Sequence, residues 1–252
     1  MTFNVPADSY ARFMGRYSSP LAAELLSVVD PSPGQRGLDV GCGPGIVTGL
    51  LVERLGAAAV SAIDPSEPFV AAVRSRLPDV DVRLGSAEEL PWADSSFDVV
   101  LAQLVVHFMT DPVAGLREMA RVARPGGLVA ASVWDYAGDR SPLSPFWLAV
   151  RDVDPTHPGE SALAGARPGH LASLFGEAGL RDVSSGELTV RVPLESFDEW
   201  WEPFTFGVGP AGKHVEALGD AARADLRARC AKRLPEGSFE LSATAWLATG
   251  RA

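Results

Sequence analysis

The chain is poor in the residues that mark several large protein classes. It carries two cysteines, Cys42 and Cys230, in 252 residues, too few and too irregularly placed for a disulfide framework or a zinc site. Reduced thiols and no metal are expected. No run of about 18 apolar residues is present to span a bilayer, and residues 1–8 show neither the basic start nor the apolar block of a secretory signal. These features predict a cytoplasmic protein. Positive charge is scarce too, since 22 Lys and Arg stand against 32 Asp and Glu for a formal net charge of −10. Nucleic-acid binding relies on clustered cations, so no nucleic-acid partner is expected. The one basic cluster, Arg223, Arg227, Arg229, Lys232 and Arg233, is interrupted at helical spacings by Asp220 and Asp225 and reads as a solvated helix face.

What is present describes a globular chain with ample core, 46% of its residues being apolar. Helical and strand patterns alternate from about residue 20 to 133, which predicts parallel strands joined by crossover helices. Strands are expected near 36–40, 58–63, 80–84, 97–102 and 127–133, with helices near 19–30, 45–55, 66–76 and 111–123. Ser66 and Asp111-Pro112 mark two helix starts, and Pro125-Gly126-Gly127 marks a helix end before the fifth strand. Later, a helix is expected at 168–179, a strand at 188–192, a helix at 213–233 and a last strand from Phe239 to Thr249. Two stretches, about 134–166 and 195–235, interrupt the pattern and read as lid insertions after strands five and six. The expectation is one α/β domain over 1–252, with a Rossmann-like, seven-stranded, mostly parallel sheet flanked by helices.

A nucleotide-site signal opens this core. The apolar run Gly37-Leu38-Asp39-Val40 breaks into glycines at 41, 43 and 45, which let backbone turn sharply and approach a ligand. Helical apolar spacing follows at Ile46, Val47, Leu50, Leu51 and Leu55, so the turn presents amides at a helix N-terminus that carries roughly +0.5 of a charge. Asp39, on the buried strand, is expected to orient this turn by accepting from loop amides. The dinucleotide pattern needs a third glycine where Ile46 stands, and the fit to NAD is poor. Asp64, 21 residues past Gly43, can accept both ribose hydroxyls of an adenosine. A third polar turn, Gly85-Ser86-Ala87-Glu88-Glu89-Leu90-Pro91, follows the third strand. An NAD(P)-dependent oxidoreductase is the alternative, disfavoured by the missing glycine and by the absence of a Tyr-x-x-x-Lys pair.

Five stretches together, in order and spacing, resemble the class I S-adenosylmethionine-dependent methyltransferases, within them the small-molecule group typified by ubiquinone and menaquinone biosynthesis methyltransferases. They are Leu38 to Gly45, Ala62-Ile63-Asp64-Pro65-Ser66, Gly85 to Pro91, Ser96-Phe97-Asp98-Val99-Val100, and Leu116 to Gly127. The resemblance covers roughly residues 36–133 and implies an antiparallel last strand. It implies that Gly41, Cys42 and Gly43 face the methionine part of the cofactor, that Asp64 holds the ribose, and that Pro65 and Ala87 cover the adenine. Family members usually carry Asp or Asn where this chain has Ser86, so adenine recognition passes to that hydroxyl, to Glu88 or to main chain. Gln103 matches a position lining the methionine end and the transfer path. Residues 10–17 resemble an N-terminal element that closes over the cofactor, bringing Tyr10, Arg16 and Tyr17 to cofactor or acceptor. Its alternative is an amphipathic helix packing Phe13 and Met14 onto the domain.

A sulfonium methyl is already activated, so positioning does most of the work; well-oriented groups reach effective molarities of ~10⁵–10⁸ M. A base is needed only where the acceptor must lose a proton. His107, after the fourth strand, is the best-placed base or acceptor contact, against a structural hydrogen bond as its other reading. Trp134, Phe146, Trp147, Trp200, Trp201, Phe204 and Phe206 concentrate in the insertions and can wall an apolar pocket. The expected partner is a small apolar or aromatic methyl acceptor, for a monomer or homodimer. A non-catalytic S-adenosylmethionine-binding module is the second alternative.

Overall fold

The computed structural model describes residues 11–252. Seven strands form one sheet: β1 (Gly37–Val40), β2 (Val60–Asp64), β3 (Asp81–Leu84), β4 (Phe97–Gln103), β5 (Ala123–Trp134), β6 (Arg181–Leu194) and β7 (Phe239–Arg251). Their order is β3-β2-β1-β4-β5-β7-β6. Strands β1 to β5 pair in parallel, whereas β7 runs antiparallel between β5 and β6. The seven-stranded α/β sheet and its antiparallel last strand match expectation. Every residue of β1 and β2 is buried, as a parallel sheet covered on both faces requires.

Helices α2 (Ile46–Leu55), α3 (Glu67–Arg76) and α4 (Pro112–Val122) flank the parallel strands, and α1 (Arg16–Val29) packs on β5 and β6. Helix α1 forms because Tyr17, Leu21, Leu25 and Val29 recur every fourth residue and sink one stripe into the core. Leu21 and Leu25 are wholly buried, and each contributes about 1.5–3 kcal/mol. At the start of α4 the Asp111 carboxylate accepts from the Ala114 amide at 2.9 Å, with Pro112 in the first helical position, the cap the sequence predicts. Ser66 holds the corresponding place before α3 without a side-chain capping bond.

Three expectations change. Helix α4 ends at Val122, and Pro125-Gly126-Gly127 lies inside β5, where the pairing with β4 shifts register between Phe97 and Val99. The Gly126 backbone at φ +77° gives this bulge its turn. The 213–233 helix is two helices, α8 (Gly209–Ala217) and α9 (Asp220–Ala231), broken by extended backbone at Leu218 and Gly219. The 134–166 insertion contains helix α5 (Ser144–Arg151), and α6 (His170–Glu177) follows it. Between β6 and β7 the second insertion adds α7 (Phe197–Trp201) and a 3₁₀ turn, Glu202–Phe206, before α8.

Phe204 joins these parts. Its ring stacks on Phe146 at 4.8 Å and meets Phe13 edge-on at 5.3 Å, so both insertions and the turn Ala11–Gly15 pack as one body. Ion pairs Arg12–Glu202 at 2.6 Å and Arg16–Glu199 at 3.0 Å tie the same turn and α1 to the second insertion. Among the described residues no helix is long and apolar enough to cross a membrane.

Candidate active site

The chain leaves β1 toward β2 and β3, then returns to β4 on the other side of β1. Ligands of open α/β sheets bind at the carboxyl ends of strands beside such a reversal, and three adjoining hollows lie there. The first, about 580 Å³, is lined by Gly41, Pro65, Gly85 to Glu88, Val105 and Phe108 to Thr110. A second, about 320 Å³, is lined by Ser18, Asp39, Gly41 to Pro44, Ile46, Val47 and Gln103. The third, about 390 Å³, is bounded by Phe13, Met14, Leu104, His107, Phe108, Trp134, Tyr136, Leu143, Glu160 and Val208 to Ala211. Gly41 belongs to the first and second hollows, and Phe108 to the first and third.

The glycine turn is braced from within. Gly41 at φ +69° allows no side chain, because an added Cβ would stand 2.4 Å from a Val105 methyl; Gly43, at φ +52°, faces open space. Contrary to expectation, the amides are not free for a ligand. Those of Gly41 and Cys42 donate to the Ile63 carbonyl at 2.8 and 3.0 Å, and that of Gly43 donates to Asp64 Oδ2 at 2.8 Å. The turn therefore offers close approach and shape. Cys42 is a buried free thiol whose pKa burial pushes up, consistent with a space-filling role.

The two carboxylates differ in partners. Asp64 accepts from the Gly43 amide through one oxygen and from the Ser66 amide through the other, both at 2.8 Å. A carboxylate has about four lone-pair positions, so a direction on each oxygen remains. Burial raises its pKa against these bonds. Asp39 is held by Thr48 in the first turn of α2 and not by amides of residues 41–45: its Oδ2 accepts from the Thr48 hydroxyl at 2.6 Å and the carboxylate also accepts from the Thr48 amide, tying α2 to β1. Burial pushes the Asp39 carboxyl up to about 7.

Gln103 closes the second hollow. Its amide nitrogen donates to the Ser18 carbonyl at 3.0 Å, which fixes the amide orientation and turns Oε1 the other way. That oxygen and the Ser18 hydroxyl are buried with no described hydrogen-bond partner. Both are acceptors suited to the donors of an amino-acid end, and the sequence reading missed Ser18. Arg16 is placed otherwise than expected, its guanidinium engaging Glu199 and the Arg12 carbonyl. Tyr10 lies outside the described residues. In the first hollow Pro65 and Ser86 are exposed and Ala87 is buried, while Glu88 Oε1 accepts from the Thr110 amide at 2.8 Å and shapes the turn before α4.

The third hollow is apolar with four polar side chains in its wall, His107, Trp134, Tyr136 and Glu160. His107 is buried and its Nδ1 has no described partner; burial alone drives its pKa down to about 3. The expected structural hydrogen bond is not found on that nitrogen. Trp134 Nε1 is likewise buried and unpartnered. Glu160, unforeseen in the sequence, is buried and accepts from Trp147 Nε1 at 2.7 Å. Leu104 bends the chain into this wall with φ +59°, strain of a kind that gathers at functional sites. Of the seven insertion aromatics only Trp134 lines this hollow among the described residues; five others pack on one another, as Phe146 does on Trp147, Trp201 and Phe204, and Phe206 lies under the Arg12 guanidinium. Phe13 and Met14 supply the wall instead, so that packing onto the domain and covering the cleft are one arrangement.

This fold, with a buried acid ending β2, a glycine turn and an adjoining apolar hollow, is that of a class I S-adenosylmethionine-dependent methyltransferase, and the chain belongs to that family. Residues 38–131 match the methyltransferase domain family. Nocamycin O-methyltransferase of Saccharothrix syringae is 33% identical over 214 residues, covering 77% of this chain and 76% of that protein. Malonyl-[acyl-carrier protein] O-methyltransferase of Serratia marcescens is 31% identical over 150 residues, 57% of this chain and 58% of that protein. The chain thus spans little more than half the length of some curated relatives. Among solved structures, phosphoethanolamine N-methyltransferase 2 of Haemonchus contortus shares the fold, with a TM-score of 0.61 at 16% identity over 97% of this chain and 56% of that one.

Proposed function

We propose that this enzyme methylates an oxygen of a small, apolar or aromatic acceptor held in the third hollow. The carrying observation is that this cavity adjoins the first hollow through Phe108 and holds an unpartnered His107 Nδ1. Two relatives named as O-methyltransferases support oxygen as the acceptor atom.

In this reading the remaining lone pairs of Asp64 take the ribose hydroxyls, and Pro65 and Ala87 cover the adenine, with Ser86 at its edge. Gln103 Oε1 and the Ser18 hydroxyl receive the amino-acid end beside Gly41, Cys42 and Gly43. Arg16 acts one step removed, holding α1 and its Ser18 against the second insertion. S-adenosylmethionine, when bound, supplies a methyl already activated on a sulfonium. The chain's own part is to exclude water with Phe13, Met14 and Leu143 and to hold the acceptor in line. His107, neutral at working pH, accepts a hydrogen bond from the acceptor. Residues 1–252 act as one catalytic domain whose insertions cover the acceptor, in a reducing, cytoplasmic setting that keeps Cys42 and Cys230 free.

Calorimetric titration with S-adenosylhomocysteine and NAD, followed by labelled methyl transfer to a metabolite panel, tests this reading. Binding of S-adenosylhomocysteine but not NAD, with transfer to a small hydroxylated compound, is expected. Transfer only to RNA or protein would sink it.

A further inference from the structure

The acceptor cavity contains a carboxylic acid that nothing in the cofactor motifs requires. Glu160 follows Pro158 and Gly159 in the first insertion, is 3% exposed, and lines the cavity. Its only described donor is Trp147 Nε1, which takes Oε2 at 2.7 Å; Oε1 receives none. Burying a carboxyl with one donor for two oxygens is costly. A core position serving packing alone would favour an apolar residue. Trp134 lines the same cavity and its buried Nε1–H has no described partner, and an indole N–H can only donate. The cavity therefore asks a ligand for a hydroxyl to give to Glu160 and a second oxygen to receive from Trp134. Aromatic walls ask that the body between them be flat and apolar.

We infer that Glu160 is the residue that recognises and deprotonates the acceptor, and that the acceptor is a phenol or enol bearing a neighbouring carbonyl or ether oxygen. This rests on the third hollow being the acceptor site. As the acceptor oxygen bonds to the methyl carbon, the methyl–sulfur bond breaks and its electron pair stays on sulfur. The hydroxyl proton passes to Glu160 Oε1. Trp147 is a positioning residue, aiming the carboxylate without touching the acceptor. Burial holds the Glu160 pKa up to about 7, in the range where a general base works best. His107 shares the wall as a second acceptor, neutral where Glu160 is ionised, and His157 and His214 pack beside Trp147 at 5.2 and 5.9 Å between ring centres.

The test is binding, measured by calorimetry on the whole protein saturated with S-adenosylhomocysteine. The probes are 2-methoxyphenol and 1,2-dimethoxybenzene, which differ only in a methyl on the hydroxyl oxygen and both carry the neighbouring ether oxygen. Wild type should bind the phenol at least about tenfold more tightly, the size of a charge-assisted hydrogen bond. In Glu160→Gln, whose amide oxygen can still accept from Trp147, the preference should disappear while S-adenosylhomocysteine binds as before. Glu160→Asp, which withdraws the carboxylate by one methylene, should reduce the preference and serves if the first variant does not fold. Equal binding of the two probes by wild type, binding of neither, or a preference surviving in Glu160→Gln overturns the inference. If S-adenosylhomocysteine binds in those cases the methyltransferase reading stands alone, whereas failure to bind it strikes that reading directly.

Discussion

At the glycine turn the chain satisfies its own polar groups, while in the third hollow, the proposed acceptor cavity, it leaves them open. Asp64 has two main-chain donors, Asp39 has the Thr48 hydroxyl, and the amides of residues 41–43 are all used. In the cavity His107 Nδ1 and Trp134 Nε1 have no described partner, and Glu160 has one donor. The second hollow, lined by the same turn, also holds two open groups, Gln103 Oε1 and the Ser18 hydroxyl, but they belong to β4 and α1 and not to the turn itself. Each open buried group costs about 1–3 kcal/mol. A braced turn holds its shape before any ligand arrives, whereas an open cavity gains most when a ligand fills it.

Breaking the braced half should have the largest effect. Gly41→Ala combines left-handed strain with a clash against Val105, together about 2–6 kcal/mol. A thermal melt should show a fall of roughly 10 °C; an unchanged midpoint would mean that Val105 yields and the turn is not braced.

The open half should respond in the opposite sense. Glu160 has its folded pKa raised from 4.5 to about 7, so its contribution to stability is full below 4.5 and is lost as pH rises through about 7. Glu160→Gln escapes that loss and should be more stable than wild type by about 3 kcal/mol above pH 7. The difference should vanish below pH 4.5. Urea unfolding across that window measures it, and a pH-independent difference would refute the raised pKa.

Asp64→Asn sharpens the comparison at the acid proposed to hold the ribose, because an amide cannot accept on both sides as the carboxylate does. S-adenosylhomocysteine affinity should drop about 10–100-fold in a calorimetric titration, with little change in 2-methoxyphenol binding. His107→Phe should have the smallest effect, a gain of about 1 kcal/mol from deleting an orphan nitrogen. His107 has its folded pKa depressed from 6.5 to about 3, so its contribution is full above 6.5 and is lost as pH falls toward 3. The variant should lack that loss, visible as greater resistance to acid unfolding.

The same contrast explains what could be read in the sequence. The cofactor half is written locally: glycines at 41, 43 and 45, an acid at the end of β2 and a polar turn after β3 each carry their meaning within a few residues. Even there, the amides proved to be spent on Ile63 and Asp64, because hydrogen bonds to a neighbouring strand leave no local pattern. The acceptor half draws its wall from residues 13–14, 104–108, 134–143, 160 and 208–211, and no periodicity links them. The aromatic clustering was visible, but ring-on-ring packing around Phe204 consumed most of it. For Glu160 the available signal was an isolated acid after Pro158-Gly159, where Gly159 at φ +54° lets the chain pass close to the Trp147 ring.

Phe108 stands in the walls of both the first hollow and the acceptor cavity, with its ring 4.0 Å from that of His107. A side chain common to both walls gives the two hollows a route to coupling. If filling one hollow displaces this ring, the affinity of the other changes by some factor, and reciprocity demands the same factor in reverse. The order in which the two ligands arrive can then differ kinetically, but the free energy of the ternary complex cannot.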